Sequence, residues 1–597
     1  MTDRPTIGTA AALRRVLRDA PELRRGLSLT VALATVGTGI QLVVPIVVQQ
    51  IVDFELLDPE GVDVAGAATR AIVAVIAMAV AMYVRGIALV RLAVRSAGGL
   101  SELRVKAFDH LHRLSVLHVE AERRGTLVAR VTSDISTVQD FMDWGGVGML
   151  VGSAQVVLAM AAMFFYGWQL ALVVAAGALV YAGLLVWFQK ILQRSHDTVR
   201  LRVGESLGAM GESISGLPTI RAYGAEASTV ANVDGVLHAQ FRAEHRAMKL
   251  GAALFSSAEL FAGVITAAVV GVGVVIGPST GLSAGTLLAF LFLVVLLVDP
   301  IQNLVESLDQ AQSAAAGIRR IIDVLDTPID IADPGPDGTR LPRTGLAIRF
   351  DNVWFRYPTG DDVLAGIDLE VEAGSRVAIV GETGSGKSTF AKLATRLLDP
   401  ARGEIRIGGV PLQDIPFEDL RSRVAFVPQE GFLFDASVAD NVRYGNLEAT
   451  DDEVHSAFEE LGLADWVTSL PEGIDTAVGE RGDRLSAGER QLVALVRAWI
   501  SQPDVLVLDE ATSAVDPALE VRLRRAIGRL TENKTSLTVA HRLSTAEASD
   551  EVLVFDDGVL VERGNHADLL AATGVYAALH TDWAAGTVSG ESSDDRP

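Results

Sequence analysis

The sequence has no cysteine, which excludes disulfide bonds, thiolate-bound metals and a cysteine nucleophile. Basic residues are scarce beside acidic ones, because 51 lysines and arginines face 74 aspartates and glutamates, and the net charge is −23. This balance argues against a nucleic-acid partner, since a polyanion binds clustered basic side chains. The 597 residues are too many for one core, and a 49% hydrophobic content indicates a membrane part.

Charge is absent from three long stretches, at 26–52, 145–189 and 260–298. A membrane helix needs about 20 apolar residues, so the first stretch provides one span and each of the others provides two. Turn residues separate the paired spans near Gly167 and at 277–281. Five membrane helices are therefore predicted from these stretches alone.

A further apolar segment at 71–90 brings the predicted membrane helices to six, although it contains Arg85. An arginine is costly against lipid, so Arg85 either reaches the cytoplasmic boundary or lines a polar cavity. The segment 53–63 has five acidic and no basic residues, whereas 85–130 is rich in arginine. The positive-inside rule then places the N-terminus in the cytoplasm, and six spans return the chain there.

The rest of the chain has the composition of cytoplasmic parts. Polar, helix-compatible segments at 92–142 and 190–248 predict helices that project beyond the bilayer. After residue 346, short β-branched runs alternate with helical patterns, which is typical of an α/β domain. The expected parts are a cytoplasmic N-terminal segment at 1–25, a transmembrane domain at 26–325, a linker at 326–345, the α/β domain at 346–583 and a disordered tail at 584–597.

A glycine-rich loop follows the apolar run 377–380 and precedes a helical pattern. Glycines let the backbone curl so that its N–H groups point at phosphate oxygens, and the helix N-terminus adds positive potential. Lys387 would reach the β- and γ-phosphates, and the Ser388 hydroxyl would hold Mg²⁺. A glycine-rich turn with a solvated lysine is the plainer alternative. The predicted phosphate-binding residues are Gly381, Glu382, Thr383, Gly384, Ser385, Gly386, Lys387, Ser388 and Thr389.

A second apolar run, 505–508, ends in the carboxylates Asp509 and Glu510. A buried strand of this kind delivers Asp509 to Mg²⁺ and Glu510 to the attacking water. The alternative is a strand that merely ends in surface acids. The phosphate loop earlier in the same domain favours the metal-and-water interpretation.

The segment Leu485–Glu489, upstream of these carboxylates, resembles the signature of the ATP-binding cassette (ABC) superfamily. Ser486 would open a helix there, so its hydroxyl and the helix amides offer an anion site. The resemblance implies that Ser486 and Gly488 bind the γ-phosphate of an ATP held by a second cassette. ATP would then join two cassettes into a dimer.

The same resemblance assigns roles to four further residues. Tyr357 is placed like the aromatic residue that stacks on adenine, although a core role in a β-strand is the alternative. Gln429 is placed like the glutamine that contacts the metal and the attacking water, and His541 like the histidine that contacts the γ-phosphate. Asp516 ends a loop, 513–516, that resembles the family segment crossing the dimer interface.

Six spans followed by one cassette resemble an exporter-type half-transporter: an α-helical membrane bundle fused to an α/β P-loop ATPase domain. Segments 124–134, 216–226 and 478–482 resemble the cytoplasmic-loop and connecting motifs of such exporters. The resemblance implies a multi-pass protein of the cell membrane in which two half-transporters use ATP and Mg²⁺. Cytoplasmic loops near 115–122 and 223–230 would transmit cassette closure. Whether the pair is a homodimer or a heterodimer is left open.

The signature departs from the family pattern, because Ala487 replaces a glycine and Glu489 replaces a glutamine. A negative charge facing the γ-phosphate would weaken closure, whereas a carboxylate turned away from the nucleotide would not. Glu510 and His541 are both present, so the chain's own phosphate site has the expected catalytic residues.

The expected function is ATP-driven export of a hydrophobic or amphipathic substrate, such as a drug, lipid or peptide. Few polar residues occupy the spans, and Arg85, Gln155 and Glu259 are the candidates for contacting cargo. One alternative is an importer of a metal chelate or other small molecule with the exporter fold. Another is an ATP-gated membrane protein that transports nothing.

Overall fold

This computed structural model describes residues 15, 18, 21, 27–56, 62–121, 130, 132–343, 345–358, 360–509, 516–540 and 543–582. The chain forms two compact units. The membrane unit comprises Met1–His112 with Arg124–Thr327, and the cassette unit comprises Arg113–Arg123 with Pro328–Pro597. The short segment Arg113–Arg123 therefore belongs with the cassette although it lies inside the membrane half of the sequence.

Helices account for most of the described residues before residue 326. They are α1 (Leu27–Ile40), α2 (Val43–Gln50), α3 (Val64–Arg113), α4 (Val116–Ala121), α5 (Ser133–Asp140), α6 (Gly146–Ser215), α7 (Leu217–Ala222), α8 (Glu226–Thr280) and α9 (Ala284–Leu325). Two π-helical turns, Ile51–Leu56 and Phe141–Gly145, follow α2 and α5. Helix α4 is the part of this series that falls in the cassette unit.

Within the described residues, five helical segments are long and apolar enough to cross a membrane. The third of them, 133–215, is interrupted at Gly167, whose φ of −175° and ψ of 95° are not helical. This interruption lies where the sequence predicts the turn between spans three and four. Helix α3 has 50 residues and is about 75 Å long, far more than the hydrocarbon thickness.

The core of the membrane unit lies among α6, α8 and α9. Tyr181 is fully buried there and stacks on Phe261 with 4.2 Å between ring centroids. Its hydroxyl accepts a hydrogen bond from Gln302 Nε2 at 3.0 Å. Gln155, one of the predicted cargo contacts, donates instead to the Leu296 carbonyl at 3.0 Å. It therefore takes part in a helix contact.

Two acidic residues tie distant helices of the membrane unit together. Asp53 accepts hydrogen bonds from the Ser283 hydroxyl at 2.5 Å and the Gly285 amide at 2.9 Å, which joins the first π-helical turn to the start of α9. Asp134 forms a two-pronged ion pair with Arg320, from Nε at 2.8 Å and Nη2 at 2.6 Å. Asp134 is the last residue of the predicted 124–134 motif, of which residues 124–129 and 131 lie outside the described residues.

The cassette unit contains two sheets. Its strands are β1 (Ile348–Arg356), β2 (Asp362–Val371), β3 (Arg376–Gly381), β4 (Arg402–Ile407), β5 (Val410–Pro411), β6 (Val424–Val427), β7 (Val505–Asp509), β8 (Thr535–Val539), β9 (Glu551–Asp556) and β10 (Val559–Gly564). An antiparallel sheet has the order β2-β1-β4-β5, and a mixed sheet has the order β10-β9-β3-β8-β7-β6. Every residue of β7 and β8 is buried, as expected for central parallel strands covered on both faces.

Helices cover these sheets. They are α10 (Lys387–Ala394), α11 (Phe417–Arg423), α12 (Val438–Arg443), α13 (Asp451–Glu460), α14 (Ala464–Ser469), α15 (Ala487–Ile500), α16 (Pro517–Thr531), α17 (Leu543–Glu547) and α18 (His566–Ala571). Phe390 of α10 stacks on Phe350 with 4.4 Å between centroids and also contacts Phe555 at 5.1 Å. This aromatic cluster anchors α10 between the two sheets and so positions its N-terminus.

The segment Arg113–Arg123 packs on the cassette through α4. Leu117 contacts the main cassette core, and Lys392 Nζ lies 3.2 Å from Glu120 Oε1. The second predicted coupling segment, 223–230, lies in the membrane unit at the turn between α7 and α8, where Tyr223 is exposed.

Candidate nucleotide site

The predicted site residues follow four parallel strands that end at one edge of the mixed sheet. Val539 pairs with Ile379 on one side and with Asp509 on the other, while Val427 pairs with Leu508. Loops that leave the carboxyl ends of neighbouring parallel strands lie side by side, and α/β sheets bind nucleotides at these strand ends. The phosphate loop follows β3, Gln429 follows β6, Glu510 follows β7 and His541 follows β8. Glu510 and His541 lie outside the described residues.

Glycine is required at two positions of the phosphate loop. Gly381 has a φ of 149°, and a Cβ there would lie 2.1 Å from the Phe555 carbonyl oxygen. Gly386 has a φ of 96°, and its Cβ would lie 2.9 Å from the Val363 carbonyl oxygen. Because the loop backbone presses against neighbouring strands, its curl is fixed by the fold.

Lys387 points into this loop. Its Nζ donates to the carbonyl oxygens of Gly381 at 2.9 Å and Glu382 at 2.6 Å, with Ser385 Oγ at 3.4 Å. Burial lowers the pKa of Lys387, and the charge of Asp509 partly opposes that shift. The ammonium group is thus held inside the loop by neutral oxygens, where phosphate oxygens could replace them. Glu382 and Thr383 are exposed at the loop tip.

The predicted metal ligands Ser388 and Asp509 meet across the sheet edge. Ser388 Oγ donates to Asp509 Oδ1 at 3.2 Å, and Asp509 is only 7% exposed. A hydroxyl and a carboxylate are the hard oxygen donors that Mg²⁺ prefers, so this pair fits the expected ion. Gln429 is exposed two residues beyond β6, and its carbonyl accepts a hydrogen bond from Gln491 at 3.3 Å.

Tyr357 lies beside the phosphate loop. Its hydroxyl is 3.1 Å from Thr389 Oγ1, and its ring meets Phe355 edge-to-face at 5.2 Å. The ring is half-buried and packs against the cassette core. The structure therefore brings Tyr357 and Thr389 together, and the stacking of Tyr357 on adenine stays a prediction.

The signature residue Ser486 forms the N-cap of α15. Its Oγ accepts from the Glu489 amide at 3.3 Å, while its own amide donates to Glu489 Oε2 at 2.8 Å. This reciprocal pair is a capping box, which needs Glu or Gln at the third helical position. Gly488 is buried in the first turn, and Ala487 is exposed.

The carboxylate of Glu489 is occupied within its own chain. Trp466 Nε1 donates to Oε1 at 3.2 Å, and Ser486 holds Oε2. Burial raises the pKa of Glu489, but these hydrogen bonds outweigh burial and leave the pKa below its ordinary value. Glu489 could either face the γ-phosphate or turn away from it. These contacts favour the second arrangement, in which the carboxylate bonds to the start of its own helix.

The remaining motifs are also held by specific contacts. Arg490 donates to the Leu485 carbonyl at 2.7 Å and to the Gly482 carbonyl at 3.4 Å, which fastens the predicted connecting segment 478–482 to α15. Asp516 caps α16 by accepting from the Ala518 amide at 3.1 Å. Residues 513–515 of its loop lie outside the described residues.

Two groups near the site were not predicted from the sequence. Trp466 lies far from Glu489 along the chain, and no local pattern joins them, although the Ser486–Glu489 spacing itself indicates a capping box. Lys392 is the other, since nothing in the sequence connects the last turn of α10 to Glu120.

Two of the predicted cargo contacts lie in the membrane unit. Arg85 is half-buried beside α1, and Glu259 is exposed.

Comparison with known proteins gives matches to both halves. The family model described as "ABC transporter transmembrane region" matches residues 27–301, and the model described as "ABC transporter" matches residues 364–513. An "ATP-dependent lipid A-core flippase" of Shewanella frigidimarina is 33% identical over 493 residues, which are 81% of this chain and 81% of that protein. The chain belongs to the ABC transporter family.

Two further known proteins are similar to this chain. A "fatty acid ABC transporter ATP-binding/permease protein" of Mycobacterium bovis is 33% identical over 79% of this chain and 75% of its own length. The solved structure of a bacterial Atm1-family ABC exporter with ATP bound superposes with a TM-score of 0.76, at 28% identity over 94% of this chain and 98% of that one. The predicted fold class, a helical membrane domain fused to an α/β ATPase domain, is confirmed. This multi-pass transporter couples ATP hydrolysis to transport, as predicted.

Proposed function

We propose that this transporter exports an amphipathic, lipid-like substrate across the cell membrane, and that the polar headgroup of the substrate binds in a cavity of the membrane unit. The observation that carries the proposal is this cavity. It has a volume of about 560 Å³ and is lined by α6, α8 and α9. Sites of this size hold a drug-sized molecule or a headgroup with part of its chains, not a whole lipid.

The cavity has an unusual number of carboxamide side chains. The five that line it are Gln189, Gln193, Gln302, Asn303 and Gln310. A carboxamide both donates and accepts hydrogen bonds, so several of them suit a headgroup with hydroxyl, amide or phosphate oxygens. His196 and Arg200 on α6 and Glu306 on α9 add charges of both signs.

Apolar side chains complete the lining, among them Leu185, Leu254 and Phe255. They offer hydrophobic surface for acyl or aromatic parts of the same molecule. The combination favours an amphipathic cargo over a purely hydrophobic one. The names of the two relatives, a lipid A-core flippase and a fatty acid transporter, support a substrate of lipid class.

The cassette residues would drive this export as two half-transporters. ATP between Lys387 and Ser388 of one chain and Ser486 and Gly488 of its partner would join the cassettes. When bound at Ser388 and Asp509, with Gln429 nearby, Mg²⁺ would neutralise phosphate charge. The closure would reach the membrane helices through the loops near 115–122 and 223–230. In this arrangement the N-terminus and the cassette would lie in the cytoplasm.

Hydrolysis would then reset the pair. Glu510 would orient and polarise the attacking water for in-line displacement of the γ-phosphate, and His541 would contact that phosphate. Tyr357 would stack on adenine and Asp516 would lie at the cassette interface. The exposed phosphate-loop residues Glu382 and Thr383 would lie close to the nucleotide.

Lipid-stimulated ATP hydrolysis in bilayer discs tests the substrate class. We expect Gln189→Leu and Asn303→Leu each to raise the lipid concentration for half-maximal stimulation about tenfold, the loss of roughly one good hydrogen bond. Asn232→Leu is the matched control, because Asn232 is exposed on α8 and does not line the cavity. Equal half-maximal concentrations in all four proteins would contradict the assignment of the cavity.

The assay is run with the chain alone and with any co-encoded partner, which separates a homodimer from a heterodimer. Lipid movement in inside-out and right-side-out vesicles measures direction. Movement toward the cytoplasmic side would contradict export and favour the importer alternative.

A further inference from the structure

Three potential metal ligands converge in the last part of the cassette. They are Glu547 at the end of α17, His566 at the start of α18 and His580 in the helical segment 575–582. Their ligand atoms all lie within 4.8 Å of one another. Glu547 Oε1 and His580 Nε2 are 4.0 Å apart, and the two imidazole rings are 5.6 Å apart.

His566 is oriented by a buried tyrosine. Its Nδ1 lies 2.6 Å from the hydroxyl of Tyr576, a residue with no exposed surface. When Nδ1–H donates to the phenol oxygen, Nε2 keeps its lone pair. An oxygen behind a ligating histidine is the usual way to fix its tautomer and direction.

The separations are close to those of a metal site. Zn–N and Zn–O bonds of about 2.0–2.1 Å in a tetrahedron place ligand atoms about 3.4 Å apart. The cluster would therefore contract by about 1 Å on binding an ion. Glu547 and His580 can supply this movement because their side chains are 46% and 20% exposed, and this exposure also gives an ion access.

We propose that Glu547, His566 and His580 form a binding site for Zn²⁺ that leaves the fourth coordination position to water. Two imidazoles and a carboxylate suit zinc, whereas Mg²⁺ takes an all-oxygen shell. The ion would join α17, α18 and the segment 575–582. Since α17 begins two residues after His541, the site would tether the element that follows this predicted γ-phosphate contact.

The test uses the full-length protein in detergent, freed of metal with a chelator that is then removed. Zn²⁺ is titrated against a chromophoric competitor, and Co²⁺ is added separately to record the visible absorption of a low-symmetry site. We expect one Zn²⁺ per chain, and we expect bound Co²⁺ to show the visible absorption of a low-symmetry site. His580→Gln should weaken Zn²⁺ binding at least about 100-fold, because it removes one of three ligands.

Three further variants make the result specific. Glu547→Gln alters an exposed carboxylate and should weaken binding without unfolding the cassette, which retained ATP binding checks. Tyr576→Phe removes the orienting hydroxyl and should weaken binding about 10- to 100-fold. His455→Gln is the control, because His455 is an exposed histidine of α13 outside the cluster, and it should change nothing. Less than one Zn²⁺ per chain, or equal affinity in the wild type, His580→Gln and Glu547→Gln, would overturn the proposal and reduce the His566–Tyr576 pair to a packing contact.

Discussion

The nucleotide site and the membrane cavity are built in opposite ways. In the cassette, Lys387 is fixed by hydrogen bonds to the backbone of its own loop. Position 381 accepts only glycine, because a Cβ there would collide with the Phe555 carbonyl oxygen. In the membrane unit, the cavity is lined by side chains from three separate helices, such as Gln189, Leu254 and Gln302. The rigid loop of the nucleotide site therefore specifies one ligand geometry. The membrane cavity specifies only the chemical class of its ligand.

This difference has a consequence for function. A loop fixed by backbone contacts would bind the same phosphate arrangement in every cycle. A cavity lined by long carboxamide side chains can adjust its hydrogen bonds to several headgroups. We therefore expect substitutions in the nucleotide site to abolish activity, and substitutions in the cavity to change which lipids stimulate it.

The largest effect is expected at the predicted catalytic carboxylate. Glu510→Gln should lower the rate of phosphate release by about 100-fold or more while ATP binding is retained, because the amide cannot act as a base. Phosphate release and fluorescent ATP binding are measured in bilayer discs. Glu532→Gln, an exposed cassette glutamate, is the control. An unchanged rate in Glu510→Gln would refute the assignment of Glu510 as the catalytic carboxylate.

A smaller but still large effect is expected from a single methyl group in the phosphate loop. Gly381→Ala should destabilise the cassette by at least about 2 kcal/mol, since its Cβ would collide with the Phe555 carbonyl oxygen. Gly384→Ala separates collision from backbone strain, because Gly384 also has a positive φ of 91° but has open space around it. Thermal unfolding of the two variants and the wild type, with and without ATP, measures the destabilisation caused by each substitution. Equal destabilisation by the two substitutions would show that the close approach at Gly381 is unimportant.

A moderate effect is expected from the capping box at the signature. Glu489→Ala should cost about 1 kcal/mol because it removes the acceptor for the Ser486 amide, whereas Glu489→Gln should keep this bond and cost less. Unfolding midpoints of the three proteins at neutral pH provide the comparison. If Glu489→Gln instead raises ATP-dependent closure strongly, the carboxylate faces the nucleotide after all.

The same residue predicts a pH dependence. The pKa of folded Glu489 is depressed, so its ionised form stabilises the folded chain above the unfolded pKa. That contribution is lost as the pH falls through the folded pKa, and Glu489→Gln should lack this part of the acid destabilisation. Unfolding midpoints followed from neutral pH to about pH 3 measure it. Identical pH profiles for the two proteins would contradict the shift.

The smallest effect is expected where α4 meets the cassette. Lys392 and Glu120 form a partly exposed ion pair, so a double-mutant cycle with alanine at both positions should give a coupling of about 0.5 kcal/mol or less. The coupling should disappear in high salt. A value several times larger would contradict the expectation of a weak, solvent-screened pair.

Sequence reasoning succeeded where function depends on contiguous residues. The glycine-rich loop between β3 and α10, the strand ending at Asp509 and the interruption at Gly167 were all predicted, because a local pattern determines each of them. The cavity was missed because Gln189 ends a charge-free stretch and Gln302 follows another, so a search for polar residues inside the spans passes over both. The bond from Trp466 to Glu489 and the cluster of Glu547 with two histidines depend on tertiary packing that no spacing along the chain reveals.

The central claim is that ATP closes two cassettes onto each other, and one distance tests it. The chain has no cysteine, so Glu472→Cys, at an exposed cassette position, gives a single label site per chain for a pulsed electron-spin distance measurement. In the Glu510→Gln background, with any natural partner supplied, we predict that ATP and Mg²⁺ shorten the distance between cassettes and narrow its distribution. An unchanged distance distribution under these conditions would contradict the account.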